Sequence, residues 1–381
     1  MDNLTHSLVG LAAAKAGLEK LSPGATVLCV LAANAPDADI VVLVFGDRWS
    51  FLQHHRGISH SIVGTLVLAI LIPLIFYAVD LIWSRLRDRP PATNLRGLLI
   101  ASVLVSATHP LLDWTNNYGI RLLLPWKSTW FYGDLVFIVD PFIWLVFGIA
   151  GFLLTSRTRV QRLNWLVLGT VTTVIVLFAM RRIGATHANV IALLWLSGLG
   201  LGVLFCFRKS AEQWGRNTAL AAFVFLGFYW SALAYAHQVA LNKASAQAAA
   251  VANMNGESVS RVAAMPTAAN PFGWDVVFET DHAVYRFPLS IIHETSNQNV
   301  VRYEKWPPSL AQQIVKLSND RRLRTFLGFA RFPVAQLQDP DCTTQTFVQL
   351  ADLRYTEPGR SRGSFTLELP VDCASTQSPD R

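Results

Sequence analysis

Long stretches of apolar residues dominate the first 236 residues of the chain. Most of them reach the roughly 18 to 20 residues that a helix needs to cross the hydrocarbon core of a bilayer. A soluble protein would have to bury several helices that are apolar on every side, and such helices are typical of membranes instead. The pattern therefore predicts an all-α polytopic membrane domain over residues 1–237. Its six expected spans are residues 61–83, 97–112, 135–154, 163–180, 188–207 and 218–236.

The first 46 residues are the least regular apolar segment. Residues 4–18 predict a short Ala-rich helix, Ser-Pro-Gly at 22–24 a turn, and residues 25–34 a second helix that Pro36 stops. His6 lies sixteen residues before Ser22 and Asp37 fifteen residues after it, so an antiparallel hairpin would bring both to one level. If residues 25–45 instead form one continuous helix, the amino terminus changes sides and His6 leaves that level.

The pattern changes after residue 237. Residues 238–270 are rich in Ala, Asn and Ser, which indicates a linker or a loosely packed helical extension. The segments 274–280, 283–292, 323–332 and 364–369 mix β-branched and aromatic residues with polar ones, as half-buried strands do. We therefore expect a smaller β-rich extra-membrane domain over residues 271–381, joined to the membrane domain by a linker at 238–270.

Composition and charge agree with this division. Of all residues, 52% are hydrophobic and 15% charged, and the net charge is +7. Residues 1–237 hold 18 Lys and Arg against 11 Asp and Glu, whereas residues 238–381 hold 14 of each. Because the excess positive charge belongs to the membrane half, it gives no reason to expect a nucleic-acid partner.

Positive charge also predicts the orientation. The loops after the spans 61–83, 135–154 and 188–207 carry four, three and three basic residues, and the alternate loops carry two each. The positive-inside rule places the richer loops in the cytoplasm and the C-terminal domain outside it. The first residues carry no basic stretch and no cleavage motif follows them, so we expect no removable signal peptide.

The four cysteines divide between the two halves. Cys29 and Cys206 lie in apolar helices and are expected to be core residues. Cys342 and Cys373 lie in the expected external domain, where an oxidising compartment would permit a disulfide. Whether these two pair is left open by the sequence.

Ionisable side chains in or beside membrane helices are costly, so each is a functional candidate. His109 and Asp113 are four residues apart at the end of an apolar helix, where both can face one ion, although Pro110 could kink the helix. A hydrogen-bonded helix end is the alternative interpretation. The other polar groups of this kind are His6, Asp37 and Asp39, and His54, His55 and His60.

The segment 55–60 has the most specific pattern, because two imidazoles flank an Arg-Gly turn directly before a membrane helix. Its alternative role is an interfacial loop in which Arg56 meets lipid headgroups. Asp37 and Asp39 alternate after Pro36, where one could bind an ion while the other orients a histidine. They could equally be helix caps.

The hairpin arrangement brings these separated groups toward one face of the membrane. Carboxylates mixed with imidazoles favour Zn, Mn or Fe over Ca or Cu(I), and such a site activates water for hydrolysis. Arg56 is placed to neutralise a phosphate, so we expect Arg56, His60 and Asp113 to act in catalysis. The expected metal ligands are His6, Asp37, Asp39, His55, His60, His109 and Asp113.

Four motifs occur in a fixed order: THSLVG at 5–10, PDAD at 36–39, HHRGISHS at 54–61 and HPLLD at 109–113. Together they resemble the YdjM-like family of bacterial inner-membrane, metal-dependent hydrolases, over about residues 1–155. The resemblance implies that His55, His60, His109 and Asp113 bind metal, with His6, Asp37 and Asp39 as further candidates. Ser59 replaces the commoner threonine of that motif and keeps its hydroxyl. NPFGWDVVFET at 270–280 resembles the start of the extra-membrane region of longer family members.

The expected function is that of an inner-membrane, metal-dependent hydrolase. Its substrate would be a phosphoester or related bond in a lipid or envelope component, and Zn is the preferred ion, with Mn and Fe as alternatives. The competing hypothesis is a non-enzymatic membrane protein in which the same residues form a structural metal site, or whose external domain binds an envelope partner. The sequence does not predict an oligomeric state.

Overall fold

The structure is a computed structural model that describes residues 1–180, 185–207, 214–293, 299–306, 310–311, 314, 317–339, 345–359 and 365–372. The chain divides into two compact units. The first comprises residues 1–38, 56–234 and 268–270, and the second comprises residues 39–55, 235–267 and 271–381. Cys342 and Cys373 lie outside the described residues, so their pairing stays a prediction.

The first unit begins with the helical hairpin that the sequence predicts. Helix α1 (Asn3–Lys15) packs against α2 (Ala25–Asn34), and a left-handed Gly24 precedes the second helix. The helices approach closely at Gly10, where a side chain would meet the backbone of Cys29 and the Cβ of Ala33. After Asn34 the backbone tightens into a 3₁₀ helix, Ala35–Val41. Helical structure therefore continues from Ala25 to Phe45 with a change of helix type at Asn34, so the expected stop at Pro36 is wrong and the continuous-helix alternative describes this segment better.

The next helices bring two of the motifs into the first unit. Helix α5 (Ile62–Leu86) follows the HHRGISHS segment, and α6 (Leu95–Ser106) continues through Ala107 into α7 (Thr108–Trp114). Helix α6 packs on both α2 and α5. Many large apolar side chains of α5 are exposed, as a lipid-facing surface requires.

The remaining membrane helices of the first unit are α8 (Pro141–Thr155), α9 (Arg159–Met180), α10 (Ala185–Phe207) and the first part of α11 (Arg216–Met254). Helix α8 begins at Pro141 because Asp140 caps it through the backbone N–H groups of Phe142 and Ile143. The predicted span 135–154 therefore begins too early, because the helix starts only at Pro141. Phe147 and Ala150 of α8 join the buried core with Leu8 of α1.

Six helical segments of the described chain are long and apolar enough to cross a membrane, as the predicted fold class requires. They are Ala25–Phe45, Ile62–Leu86, Leu95–Trp114, Arg159–Ala179, Ala188–Cys206 and Arg216–Met254. The first satisfies this test by hydropathy although its regular α-helix ends at Asn34, so α2 alone extends only about 15 Å.

The second unit contains two antiparallel sheets and several helices. Strands β1 (Val259–Thr267), β2 (Asn270–Thr280), β3 (Ala283–Ser290) and β4 (Val301–Glu304) form one sheet in that order. Strands β5 (Pro333–Leu337), β6 (Gln345–Asp352) and β7 (Thr366–Asp372) form the other. Helix α12 (Arg321–Phe329) packs on β7 and on α4 (Arg48–His54), and α4 also contacts α3 (Val42–Phe45). The strand expected over residues 323–332 is therefore wrong, because Leu323, Phe326 and Phe329 recur every third residue and line the buried face of this helix.

The interval 238–270, expected to be a linker or a helical extension, is mostly regular structure. Residues up to Met254 continue α11, and β1 follows. Ala240, Ala244 and Ala248 recur every fourth residue, so they line one face of the helix, and all three are buried in a cluster with Trp274 and Phe278 of β2. Small side chains let this helix pack closely, which explains why the stretch lacks the large apolar residues of a usual core helix.

Candidate metal centre

The start of α1 is fixed by hydrogen bonds around Asp2. Its carboxylate accepts from the backbone N–H of Thr5 at 3.0 Å and from the Thr5 hydroxyl at 2.7 Å. The indole N–H of Trp144, on α8, donates to both Asp2 and the Thr5 hydroxyl at 3.0 Å. The helix end that carries His6 is therefore held against α8, and the His6 side chain is fully buried.

His109 and Asp113 lie on one face of α7, as their spacing predicts. Nε2 of His109 is 3.4 Å from Oδ2 of Asp113, and both side chains are completely buried. Pro110 does not separate them, because it occupies the first turn of α7, where backbone N–H groups lack helical partners.

His60 ends the 3₁₀ turn Ile58–His60 that follows Gly57. Ser61 then caps α5, accepting from the backbone N–H of Gly64 at 3.0 Å. This turn and cap aim the His60 ring at two carboxylates. Its Nε2 lies 3.2 Å from Oδ1 of Asp37 and 3.3 Å from Oδ2 of Asp113.

Four side chains therefore converge: Asp37, His60, His109 and Asp113. One ligand-type atom from each lies within 4.8 Å of every other. His6 lies beside this group, with its Nε2 3.4 Å from Oδ1 of Asp113 and its ring stacked on His109 at 3.8 Å between centroids. The residues come from α1, α7 and the two segments before α3 and α5, which are distant in sequence.

Several of these buried atoms have no hydrogen-bond partner among the described residues. They are Oδ2 of Asp37 and of Asp113, Nε2 of His109 and both ring nitrogens of His6. A buried polar atom without a partner is costly, and clusters of such atoms mark a site for a ligand or an ion.

Hydrogen bonds behind two rings favour their Nε2 atoms as ligands. Nδ1 of His109 lies 2.6 Å from the carbonyl oxygen of Ala33. A carbonyl only accepts, so Nδ1 carries the proton and Nε2 of the neutral ring presents a lone pair to the cluster. Nδ1 of His60 lies 3.0 Å from the Ser59 hydroxyl, which can orient that ring in the same way.

The donor set fits a divalent ion of the zinc type. Imidazole nitrogens and carboxylate oxygens bind zinc at about 2.0–2.2 Å, which puts tetrahedral ligands about 3.3–3.6 Å apart. The distances of 3.2, 3.3 and 3.4 Å among Asp37, His60, His109 and Asp113 lie close to this spacing, while the His109–Asp37 distance of 3.8 Å is longer.

Arg56 contacts Asp113 from another side. Its guanidinium lies 3.1 Å from Oδ1 of Asp113 and donates to the Asn116 side-chain oxygen at 2.8 Å and the Gly119 carbonyl at 3.2 Å. It also lies over the ring of Tyr118, 4.7 Å from its centroid. The backbone nitrogen of Met1 contacts Asp113 as well. Arg56 is 3% exposed, so in the structure it supports Asp113 and the loop 116–119.

Asp39 and His55 belong to the second unit, where Nδ1 of His55 lies 3.0 Å from Oδ1 of Asp39. The ring of His55 also stacks on Phe51 at 4.5 Å. Five of the seven predicted ligands thus meet in the first unit. The assignment of Asp39 and His55 as ligands stays a prediction.

The structure adds groups that were not among the expected site residues. The Ala33 carbonyl that holds His109 has no sequence signal, because every residue carries a carbonyl. Ser59 could have been selected, since a hydroxyl beside a ligand histidine in a turn is a natural hydrogen-bond partner. The contact of Asn116 with Arg56 depends on how the loop after α7 folds, which no local pattern determines.

Residues 1–184 match a family whose model is described as "YdjM inner membrane protein". The protein YfhP of Bacillus subtilis, described as uncharacterised, is 29% identical over 155 residues, which is 38% of this chain and 43% of YfhP. The inner membrane protein YbcI of Escherichia coli is 28% identical over 158 residues, which is 41% of this chain and 80% of YbcI. No solved structure matches. Over this segment the match bears out the expected resemblance to inner membrane proteins of the YdjM type.

Proposed function

We propose that this multi-pass inner membrane protein, whose residues 1–184 match the YdjM family, is a metal-dependent hydrolase. The observation that carries the proposal is the buried group Asp37, His60, His109 and Asp113, whose ligand-type atoms converge. Three of these atoms, Oδ2 of Asp37, Oδ2 of Asp113 and Nε2 of His109, lack a hydrogen-bond partner among the described residues. His6 supplies a further imidazole beside the group, which gives the first unit five buried donors. A catalytic zinc ion needs three protein ligands and one open position for water, and this set supplies the three ligands without using every donor.

Zinc is the ion we propose, because three imidazoles with two carboxylates suit its preference for nitrogen and oxygen ligands. A divalent ion held there would lower the pKa of bound water toward neutrality and offset charge on a phosphoryl oxygen. The substrate class that we propose is a phosphoester or related bond in a lipid or envelope component, because the site belongs to a membrane-embedded unit.

The chain's own residues would have three tasks in this reaction. His60 and His109 would hold the ion through Nε2, because their Nδ1 atoms lie against the Ser59 hydroxyl and the Ala33 carbonyl. Asp37, whose Oδ1 faces His60, keeps Oδ2 as an acceptor for a proton released by water. Burial of the whole group excludes bulk solvent, which strengthens each electrostatic interaction.

Arg56 was expected to bind the substrate anion directly. Its contacts favour a positioning role, in which the guanidinium holds Asp113 through an ion pair and fixes the loop 116–119. Direct contact with a phosphoryl group stays a prediction. By the positive-inside rule we propose that the metal centre and the C-terminal unit lie on the extracytoplasmic side.

The test is elemental analysis of detergent-purified full-length protein. The wild type is compared with a His60→Ala, Asp113→Ala double variant and with a control, Asp281→Ala, His282→Ala. The control removes an aspartate and a histidine that lie 3.5 Å apart, of which Asp281 is 46% exposed and His282 68% exposed. We expect bound zinc, manganese or iron in the wild type and the control, and its loss in the double variant.

Hydrolysis of a chromogenic phosphodiester is measured on the same three proteins. We expect activity to follow metal content, lost in the double variant and kept in the control. Activity that survives in the double variant would disprove the assignment of the site. A wild type that binds metal and hydrolyses none of a panel of lipid and soluble phosphoesters would favour the non-enzymatic alternative.

A further inference from the structure

The second unit contains a cavity of about 250 Å³ that none of the metal-centre residues line. Its walls come from α4, the start of α12 and β7. The lining residues are Arg48, Trp49, Arg322, Thr366, Leu367 and Glu368. Two arginines from separate elements therefore line one space together with a tryptophan.

The guanidinium groups are held by defined contacts. Arg48 lies over the Trp49 ring at 4.3 Å and donates to the Thr366 carbonyl at 3.4 Å. Arg322 pairs with Asp320, the cap of α12, at 2.7 Å. Glu368, the one acidic residue of the lining, accepts from the side-chain amides of Gln338 and Gln349 at 3.2 and 3.1 Å.

The lining thus carries two positive charges against one negative charge. The adjoining surface is also basic, since Arg321 and Arg324 project from the same exposed side of α12. Arg321 contacts Asp47 at 3.6 Å and the Ser50 hydroxyl. A guanidinium has five donors in a planar fork, so an arginine that already makes one ion pair can still bind a phosphate.

An exposed apolar run precedes the cavity residues Arg48 and Trp49 along the chain. Ile40, Val41, Leu43, Val44 and Phe45 are between 45% and 87% exposed, and Phe45 is the most exposed of them. Only Gly46 and Asp47 separate Phe45 from Arg48. An apolar surface of this kind is unfavourable in water but stable against acyl chains, and the same residues lie in a candidate span.

We propose that this cavity binds the phosphate headgroup of an anionic membrane lipid, with the acyl chains along residues 40–45. Arginine forks match phosphate oxygens, and tryptophan is enriched at the depth of lipid headgroups. A free phosphate would use the arginines but would gain nothing from the apolar run. Such a lipid would hold the second unit at the bilayer surface. This inference goes beyond the proposed hydrolase, because it requires neither a metal nor a reaction.

The test uses native mass spectrometry of the full-length protein titrated in detergent with phosphatidylglycerol, phosphatidylcholine or inorganic phosphate. The variant Arg48→Gln, Arg322→Gln is expected to lose about 10- to 30-fold in phosphatidylglycerol affinity, which corresponds to two arginines at an anionic surface. The matched control is Arg261→Gln, an arginine of the same unit that is 44% exposed against 46% for Arg322 and is likewise paired with a carboxylate. The control should bind phosphatidylglycerol as the wild type does.

A second variant, Val44→Asp, separates the two sources of phosphate. It should weaken phosphatidylglycerol binding while leaving the affinity for inorganic phosphate unchanged. Equal phosphatidylglycerol affinity in the wild type and the double arginine variant would overturn the proposal. The double arginine variant could lose affinity equally for phosphatidylglycerol and inorganic phosphate while Val44→Asp changes neither affinity. That result would mean that the cavity binds a free anion and not a lipid. Metal content is measured alongside and should be unchanged in all variants.

Discussion

The hydroxyl oxygen of Ser59 lies 3.0 Å from Nδ1 of His60, the residue that follows it and whose Nε2 faces Asp37 and Asp113. The two ring nitrogens thus have separate partners, a hydroxyl on one side and the carboxylates on the other. A hydrogen bond to the ring nitrogen that does not bind the metal typically contributes 10- to 100-fold to metal affinity. The hydroxyl common to serine and threonine at this position therefore has a physical role.

Ser59→Ala should weaken metal binding by about 10- to 100-fold without unfolding the protein, because it removes the hydroxyl beside Nδ1 of His60. Competition with a chelator of known affinity measures the change. Ser59→Thr keeps the hydroxyl and should restore the wild-type affinity. If alanine and threonine bind metal equally well, the hydroxyl does not orient His60.

Gly64→Ala should disturb the turn that carries His60. A Cβ at Gly64 would overlap the carbonyl of Ile58, which belongs to the 3₁₀ turn before α5. Because the obstacle is backbone, relief requires the turn to move, at a cost of about 1–3 kcal/mol. Gly148→Ala in α8 is the control, since a Cβ there meets nothing within 4 Å. The melting temperature and the metal affinity should fall for Gly64→Ala only. Equal values for the two variants would contradict the close packing of Gly64 against the Ile58 carbonyl.

Arg56→Gln should destabilise the metal-free protein more than the metal-loaded protein. Arg56 lies 3.1 Å from Asp113, and its loss leaves that fully buried carboxylate without its guanidinium partner. Breaking one side of a buried ion pair costs about 3–5 kcal/mol, and a bound cation would offset part of it. The gain in melting temperature on adding zinc should therefore be larger in the variant. The same gain in both proteins would mean that Arg56 and the metal do not share Asp113.

The contacts of the Glu257 carboxylate should stabilise the second unit at neutral pH and lose this effect at acid pH. Burial acts to raise its pKa, but hydrogen bonds from Thr280, Arg302 and Tyr285 together hold that pKa below its ordinary value of 4.5. A carboxyl whose pKa is lowered by folding stabilises the fold above the unfolded pKa. That contribution is lost as pH falls from about 4.5 through the folded value.

Glu257→Gln should therefore lower stability at neutral pH by about 1–2 kcal/mol, a figure reduced because water screens the 37% exposed Arg302. The variant and the wild type should converge at acid pH. Thermal unfolding at neutral and at acid pH measures the difference. Both proteins are treated with a chelator, so that loss of metal at acid pH does not contribute to it. A difference that persists unchanged at acid pH would exclude the charge of Glu257 as its cause.

The sequence by itself determined the membrane architecture and most of the metal centre's residue types. Apolar runs of about 20 residues predict spans because a bilayer has a fixed thickness, and that signal is local. The pair His109 and Asp113 was also predictable, since a spacing of four residues places both on one helix face. The hairpin predicted the convergence of His6 and Asp37, because both lie at equal distance from one turn.

Tertiary structure decided the choices that depend on contacts between distant segments. Two histidines flank Arg56 in sequence, but His60 faces the carboxylates while His55 pairs with Asp39 in the other unit. No local pattern separates them, because the direction of each ring follows from the turn at Gly57. The position of Ala33 behind His109 likewise depends on how α2 packs near α7. Periodicity identifies the face of a helix, whereas only packing decides which atoms meet across it.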